Sequence, residues 1–371
     1  MFRLSRILLV AAIFLPGCAT PPTNNAPPPP DARGQPSLNW VDPDAIPKPV
    51  IAPPAKPVPS AAKAGLPAAV RPPVPPAAPT ATWISLSRWA AQHKIGVPHL
   101  LSDLPVATYA LGSSSGVLVL GIGSLAATWN GIQISLGFEP QLVDGEIFLH
   151  ELDLQKNLEP LLCDPPLTLG TNRIIVIDPG HGGSNTGTRS VVDGRFEKEF
   201  TLDWGKRLAP LLAANGWEVH LTRTSDADVS LAERVALADA LHADMFISLH
   251  FNSGGSGTRQ AGLETYCLTP AGMPSTLTRG YEDNWSEDLP DNAFDEQNLQ
   301  LALRVHRALL RGTGAEDRGV RRARFIGVLR GQNRPAILIE GGYLSNPAEA
   351  RLIESPEYRQ KLAESLAGAL K

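Results

Sequence analysis

The chain has 371 residues, a formal net charge of −4 and 19% charged residues, which suits about two domains and excludes a polybasic face for nucleic acid. Hydrophobic residues make up 43%, ordinary for a globular protein once a proline-rich segment is set aside. Of the 3 cysteines, none has metal-ligand spacing, so cysteine carries no site chemistry.

Arg3 and Arg6 flank the start of a short apolar run, Ile7 to Leu15. The run is too short to span a bilayer and reads as a cleaved signal. Leu15-Pro16-Gly17-Cys18 resembles a bacterial lipobox. The resemblance implies cleavage before Cys18 and lipidation of its thiol; an ordinary secretory signal is the other reading. Ala19 after an acylated cysteine points to an outer membrane by the usual sorting preference. The expected location is therefore the periplasm, on a lipid anchor. Pro21 to Pro79 holds 20 of the 35 prolines, so residues 19–81 cannot bury a core and read as a disordered linker. At ~3.1 Å per residue it reaches at most ~190 Å, a leash for acting at a distance from a membrane.

Residues 82–168 read as a small α+β domain. Trp83 to Ile95 has the apolar spacing of an amphipathic helix. Strand-like runs follow at Ala107–Leu111, Val117–Ile122, Ala126–Trp129, Ile132–Leu136 and Glu146–His150, with Asn130-Gly131 as a hairpin turn. Leu152 to Leu162 closes the unit as a helix. The pattern resembles the small domain at the N-terminus of copper amine oxidases and on many cell-wall proteins. No copper site is implied, since His93, His99 and His150 lack ligand spacing and read as surface residues. Cys163 and Cys267, far apart, read as simply buried.

Residues 172–371 alternate strands and helices, which predicts an α/β domain: a mixed, mostly parallel sheet flanked by helices. Ile174, Ile175, Val176 and Ile177 are a buried strand. Glu197 to Asn215 is a helix stopped by Gly216, and Trp217–Leu221 a strand. Ser230 and Glu233 form a capping box for the helix to Leu241. Met245–Leu249, Gly262–Leu268 and Ala336–Ile339 are strands, and Gln297–Gly312 a helix. Asn346-Pro347 and Ser355-Pro356 each start a helix. Tyr281 to Glu296 has seven acidic residues and no Lys or Arg. It reads plainly as a solvated loop, with a mobile rim or gate near the site as the other reading.

Three strands end in a functional candidate. Ile177 leads through a glycine-rich turn to His181, Leu249 into His250, and Ile339 into Glu340. Ligand sites in open α/β sheets form outside the carboxyl ends of the strands, and Glu197 opens the first helix on the same side. Two His and one Glu match a catalytic zinc site with a fourth position for water, and a second carboxylate can take the proton. Each residue also has a structural reading: a turn for the His181 loop, a core histidine for His250, a helix-start carboxylate for Glu197 and a capping group for Glu340. A phosphate loop is the weaker reading: Gly182 to Gly187 has its outer spacing, but Thr188 stands where Lys is required.

The ordered segments IDPGHGG, FEKEF, SLHFN, EDRGVRRARFIGVL and ILIEGGYLSNP resemble the zinc-dependent N-acetylmuramoyl-L-alanine amidases, from Arg173 to the C-terminus. The resemblance implies zinc (Zn2+) held by His181, Glu197 and His250, with Glu340 as the catalytic base. It implies peptidoglycan as partner, hydrolysis of the bond between N-acetylmuramic acid and L-alanine, and a role in wall remodelling or daughter-cell separation. In some members an element inserted after the strand at 262–268 covers the zinc until an activator protein arrives. Gly341 departs from the family's usual Thr. Asn252 matches the family and can orient a ligand or shape a turn. Arg318, Arg321 and Arg322 read as a solvated basic loop or as contacts to anionic glycan. A wall carboxypeptidase or deacetylase, and a non-catalytic wall-binding lipoprotein, are the competing functions; an intact Glu340 argues against the last.

Acylation at Cys18 has a direct readout. Cells fed a fatty-acid analogue label the parent protein, and Cys18→Ser abolishes the label; an unlabelled parent contradicts the anchor.

Overall fold

Short β-branched and aromatic runs, separated by glycine and proline turns, open the described part of the chain. The computed structural model describes residues 82–371 apart from 164–166, 169, 256–258 and 279–282. The signal, Cys18 and the linker lie outside the described residues. The first elements are β1 (Trp83–Ser85), α1 (Leu86–Gln92), β2 (His99–Ser102), β3 (Thr108–Ser113), β4 (Gly116–Gly121), β5 (Ala126–Trp129), β6 (Ile132–Ser135), β7 (Gln141–Val143) and β8 (Glu146–His150). They pair antiparallel in two sheets, β2-β3-β4-β5-β6 and β1-β8-β7. Asn130 and Gly131 have φ of 49° and 82°, the left-handed pair that a two-residue hairpin turn needs.

One helix expectation here needs correction. Trp83–Ser85 is strand, because its β-formers pair with His150, Leu149 and Phe148; the helix starts only where Ser85 Oγ accepts from the Arg88 N–H at 3.1 Å. The closing helix is continuous as expected but not uniform, running through α2 (Glu151–Asp153), a π-helical turn (Leu154–Leu158) and α3 (Glu159–Leu162). The buried Asp153 carboxylate is the cause we identify. It accepts from the Gly137 and Phe138 N–H groups and from Asn157 Nδ2, holding this turn against the preceding loop.

The remaining elements are β9 (Ile174–Pro179), α4 (Glu197–Ala214), β10 (Glu218–Leu221), α5 (Leu231–Ala240), β11 (Met245–Asn252), β12 (Leu263–Cys267), α6 (Asp295–Thr313), β13 (Asp317–Arg322), α7 (Gly327–Arg330), β14 (Ala336–Tyr343), α8 (Pro347–Glu354) and α9 (Pro356–Ala369). The strands form one sheet in the order β10-β9-β11-β14-β12-β13. Only the β14–β12 pair is antiparallel, so the sheet is mixed and mostly parallel, with helices on both faces as expected. Each capping expectation holds: Ser230, Asn346 and Ser355 accept from the first turns of α5, α8 and α9.

Strand side chains alternate between faces, and the sheet divides its core by that parity. Ile175, Ile177, Ile247, Leu249, Ile337 and Ile339 pack towards α4, α6 and α9. Val176, Phe246, Ala336 and Leu338 pack towards α5 and α7. The first cluster is continuous with the small sheets, running through Leu86, Trp89, Leu118 and Leu158. Polar contacts join them as well. Gln133 on β6 donates its N–H and Nε2 to Asp317 at 2.9 and 2.8 Å, and Arg322 donates to the Lys156 carbonyl and Asn157 Oδ1.

Two loop readings are overturned. Arg318, Arg321 and Arg322 lie on β13, not in a solvated loop, and Arg322 is buried. The acidic stretch is pinned where it is described. Asp283 accepts from Arg324 at 2.8 Å, Glu287 from Arg330 at 2.6 Å, and Asp295 pairs with Lys156 at 3.2 Å. Asp291 is fully buried, and burial pushes its carboxyl well above the usual range. Cys267 is buried as expected, but Cys163 is exposed.

Gly341 faces the α4 side. A Cβ there would stand 2.9 Å from Phe251 Cε1 and 3.0 Å from Trp204 Cζ3. The glycine and the bulky Trp204 therefore occupy one space between them. Gly341→Thr is expected to destabilise by about 1–3 kcal/mol through overpacking, read from the urea midpoint. Adding Trp204→Phe recovers part of the loss; strictly additive effects contradict the shared-space account.

Candidate metal and active site

β9 ends at Asp178 and Pro179, and the chain turns through Gly180 into His181, whose φ of 63° is left-handed. Gly180 leaves room for the neighbouring strand's histidine: a Cβ on it would stand 2.3 Å from Cε1 and Nε2 of His250. Gly187, at φ 66°, sits as closely under the other two groups, with a Cβ falling 2.6 Å from Glu197 Oε2 and 2.7 Å from His181 Cδ2. A loop that served only as a turn would need no such approach.

Glu197 is the first residue of α4, where the helix dipole favours a carboxylate. It is 3% exposed, and its two oxygens accept from the Phe251 and Thr188 N–H groups, each at 3.0 Å. His250 Nδ1 lies 3.0 Å from Oε1 and His181 Nε2 lies 3.1 Å from Oε2. Asn185 Oδ1 is 2.8 Å from His181 Nδ1. When the ring is neutral, that amide oxygen takes the Nδ1 proton and leaves the Nε2 lone pair for a metal. The ligand atoms of His181, Glu197 and His250 all lie within 4.8 Å of one another, and no other such group of three occurs among the described residues.

Charge at this centre is strongly coupled. Burial disfavours the His181 imidazolium, but the charge and hydrogen bond of Glu197, with help from Asn185 and Glu340, raise its pKa to about 9. Burial lowers His250. Burial also opposes ionisation of Glu197, yet the charge of His181 and the bonds from both rings hold its carboxyl far below the usual range. Two imidazole nitrogens and one ionised carboxylate, with an open side, are the donor set of a catalytic zinc site. The residues present fit zinc.

Glu340 stands directly opposite His250 in the parallel β11–β14 register, so both side chains leave the same face of the sheet. It is 8% exposed. It lines the same cavity of about 320 Å3 as His181, Glu197 and His250. Phe325, Ile326, Val328 and Leu338 supply apolar walls. The braced acidic stretch meets this wall through Asp283–Arg324 and Glu287–Arg330. Asn252 also lines the cavity, and its Nδ2 donates to Glu264 at 2.8 Å.

Sequence reasoning missed the groups that hold the His181 turn. Asp178, 1% exposed, accepts from Thr222 Oγ1 at 2.6 Å, from Ser248 Oγ at 2.7 Å and from Arg234. The charge of Arg234 leads the effects that overcome burial and keep Asp178 below the usual carboxylate range. Arg234 donates to the His181 and Pro179 carbonyls at 2.8 and 3.1 Å. Arg223 donates to the Pro179 and Gly180 carbonyls, both at 2.8 Å; burial lowers its pKa to about 10. Asp178 sits inside the motif, but its partners lie 44 to 70 residues away. No local spacing signals them.

Residues 175–371 match the family described as N-acetylmuramoyl-L-alanine amidase. The N-acetylmuramoyl-L-alanine amidase AmiA of Salmonella typhimurium is 28% identical over 222 residues, 54% of this chain and 76% of that one. The amidase CwlM of Bacillus licheniformis is 34% identical over 198 residues, 53% of this chain and 66% of that one. Among solved structures, the N-acetylmuramoyl-L-alanine amidase of Clostridium difficile 630 is 31% identical, covering 54% of this chain and 95% of that one with a TM-score of 0.45.

Arg234→Met leaves Asp178 buried without its cation and frees the His181 carbonyl. Breaking such a pair costs about 3–5 kcal/mol, read from denaturant unfolding. Adding Asp178→Asn removes the stranded charge and restores part of the stability. A single variant as stable as the parent contradicts the role given to the pair.

Proposed function

The chain belongs to the N-acetylmuramoyl-L-alanine amidase family, and from that premise we propose that it hydrolyses the amide between N-acetylmuramic acid and L-alanine in peptidoglycan. The observation that carries the reading is Glu340 in one cavity with the His181, Glu197 and His250 donor set. These three residues would hold zinc. When bound, zinc supplies a Lewis acid that polarises a carbonyl and lowers the pKa of a water towards ~7.

Glu340 is the general base. It takes a proton as water attacks the carbonyl carbon, then delivers that proton to the departing alanine nitrogen. The carbon–nitrogen bond breaks as the carbon–oxygen bond is completed, leaving a lactyl carboxylate and a free amine. Glu340 is suited to this because it lies on β14 beside His250, next to the donor set without belonging to it. The two N–H bonds to Glu197 fix that carboxylate for the metal. The apolar walls limit water around the reacting groups, which strengthens every charge interaction within.

The same reading places the protein in the periplasm, anchored through Cys18 and carried on residues 19–81, with residues 82–168 as a small domain packed on the catalytic one at 172–371. Wall remodelling or daughter-cell separation is the role it supports. Among the described residues no helix is long and apolar enough to cross a membrane.

Glu340→Gln keeps the side chain's shape but cannot accept the proton. It should retain zinc while losing on the order of 10²–10⁴ in rate. His181→Ala and His250→Ala should lose zinc and activity together. Turnover at the parent rate in Glu340→Gln would sink the mechanism. Products identify the bond: purified sacculi should yield free stem peptides and intact glycan, whereas shortened peptides would indicate a carboxypeptidase and acetate a deacetylase.

A further inference from the structure

A second cavity, of about 310 Å3, adjoins the catalytic one and shares Asn252, Ser253 and Tyr266 with it. Its charged lining is Glu264, Arg318 and Arg321. Glu264 is 4% exposed and is held by Asn252 Nδ2 at 2.8 Å, the Tyr266 hydroxyl at 2.9 Å and the Tyr343 hydroxyl at 3.2 Å. Arg318 donates its Nε to Glu264 at 3.1 Å and lies over the Tyr343 ring. Arg321 is held one step further out. Its Nε donates to the Arg318 carbonyl at 2.9 Å and stands 3.8 Å from Glu264.

One carboxylate thus faces two guanidiniums, and the cavity keeps a positive charge. Among the described residues the terminal nitrogens of Arg321 have no hydrogen-bond partner. A side chain 30% exposed, its stem fixed by a backbone carbonyl, is pre-organised for an incoming anion. Both arginines also line a groove of about 530 Å3 between β13 and the five-stranded sheet, so a bound chain has room beyond them.

We propose that Arg321, with Arg318 behind it, binds a carboxylate on the peptide side of the scissile bond, making this cavity an acidic-peptide subsite of the active centre. The proposal rests on the amidase reading. In the intact substrate the lactyl group is tied up in the scissile amide and the N-acetylated sugars carry no charge, whereas stem peptides carry carboxylates, so charge selects the peptide side. Arg321 is a specificity residue here and takes no part in the proton transfers.

Two measurements test it. The first compares hydrolysis of synthetic N-acetylmuramoyl-L-alanyl-D-glutamate with that of its α,γ-diamide. The second measures calorimetric binding of L-alanyl-D-glutamic acid and its α,γ-diamide to the metal-free chain. A charge-assisted bond predicts about 10- to 100-fold preference for the free acid, expressed in KM and in binding. Arg321→Gln should erase the preference in both, and Arg321→Lys should restore part of it. A parent that treats acid and amide alike, or an Arg321→Gln protein that keeps the preference, overturns the subsite while leaving the amidase reading in place. Preferential binding of the acid without hydrolysis of either substrate has the opposite meaning: the subsite stands and the amidase reading falls.

Discussion

The buried pair of Asp178 and Arg234 is the constraint on which the site depends. A carboxylate and a guanidinium placed out of water are costly unless their remaining hydrogen-bonding capacity is met. Here Thr222 and Ser248 complete the carboxylate, while the guanidinium reaches the carbonyls of Pro179 and His181. Arg223 shares the Pro179 carbonyl and takes that of Gly180 in the same turn. Three successive residues of a glycine-rich loop, flexible by composition, are thereby fixed from beneath. His181 can then hold a left-handed backbone conformation and still aim one ring nitrogen at Glu197.

Register supplies the rest. β11 and β14 run parallel and in step, so His250 and Glu340 come to lie side by side. The same parity sends Phe251 and Gly341 to the opposite face, against Trp204. The metal-ligand candidate and the proposed base are therefore placed by the alternation that also sorts the apolar residues into two core layers. A one-residue slip of either strand would exchange a cavity-lining residue for a core one. The change at Gly341 belongs to this packing: a smaller residue on the strand accompanies a large indole on α4.

The far edge of the sheet couples the site to the first part of the chain. β13 meets β6 through Asp317 and Gln133, Arg322 reaches the π-helical turn, and Arg318 and Arg321 face the cavity beside the catalytic one. The acidic stretch contributes from the other side by bracing Arg324 and Arg330, which flank the apolar wall at Phe325 to Val328. Residues that look like solvated charge in one dimension are cross-links in three.

The sequence by itself determined the strands at 174–177, 245–249 and 336–339, the helix starts at Ser230, Asn346 and Ser355, and the candidates His181, Glu197, His250 and Glu340. These were legible because the signals are local: β-branched runs, caps followed by proline or glutamate, and polar side chains that interrupt the apolar runs, although β11 and β14 in fact run on past His250 and Glu340. Tertiary structure alone decided which strands are neighbours, and so which candidates share a cavity. It also decided that Arg223 and Arg234 hold the turn, that Asp283 and Glu287 are paired, and that residues 317–322 form a strand. That last run is polar and charged because it lies at a sheet edge, docked on Gln133 and Glu264, and carries no apolar alternation to announce it. Partners 44 to 70 residues apart leave no trace in spacing, since their pairing follows from strand order rather than from anything adjacent in the chain.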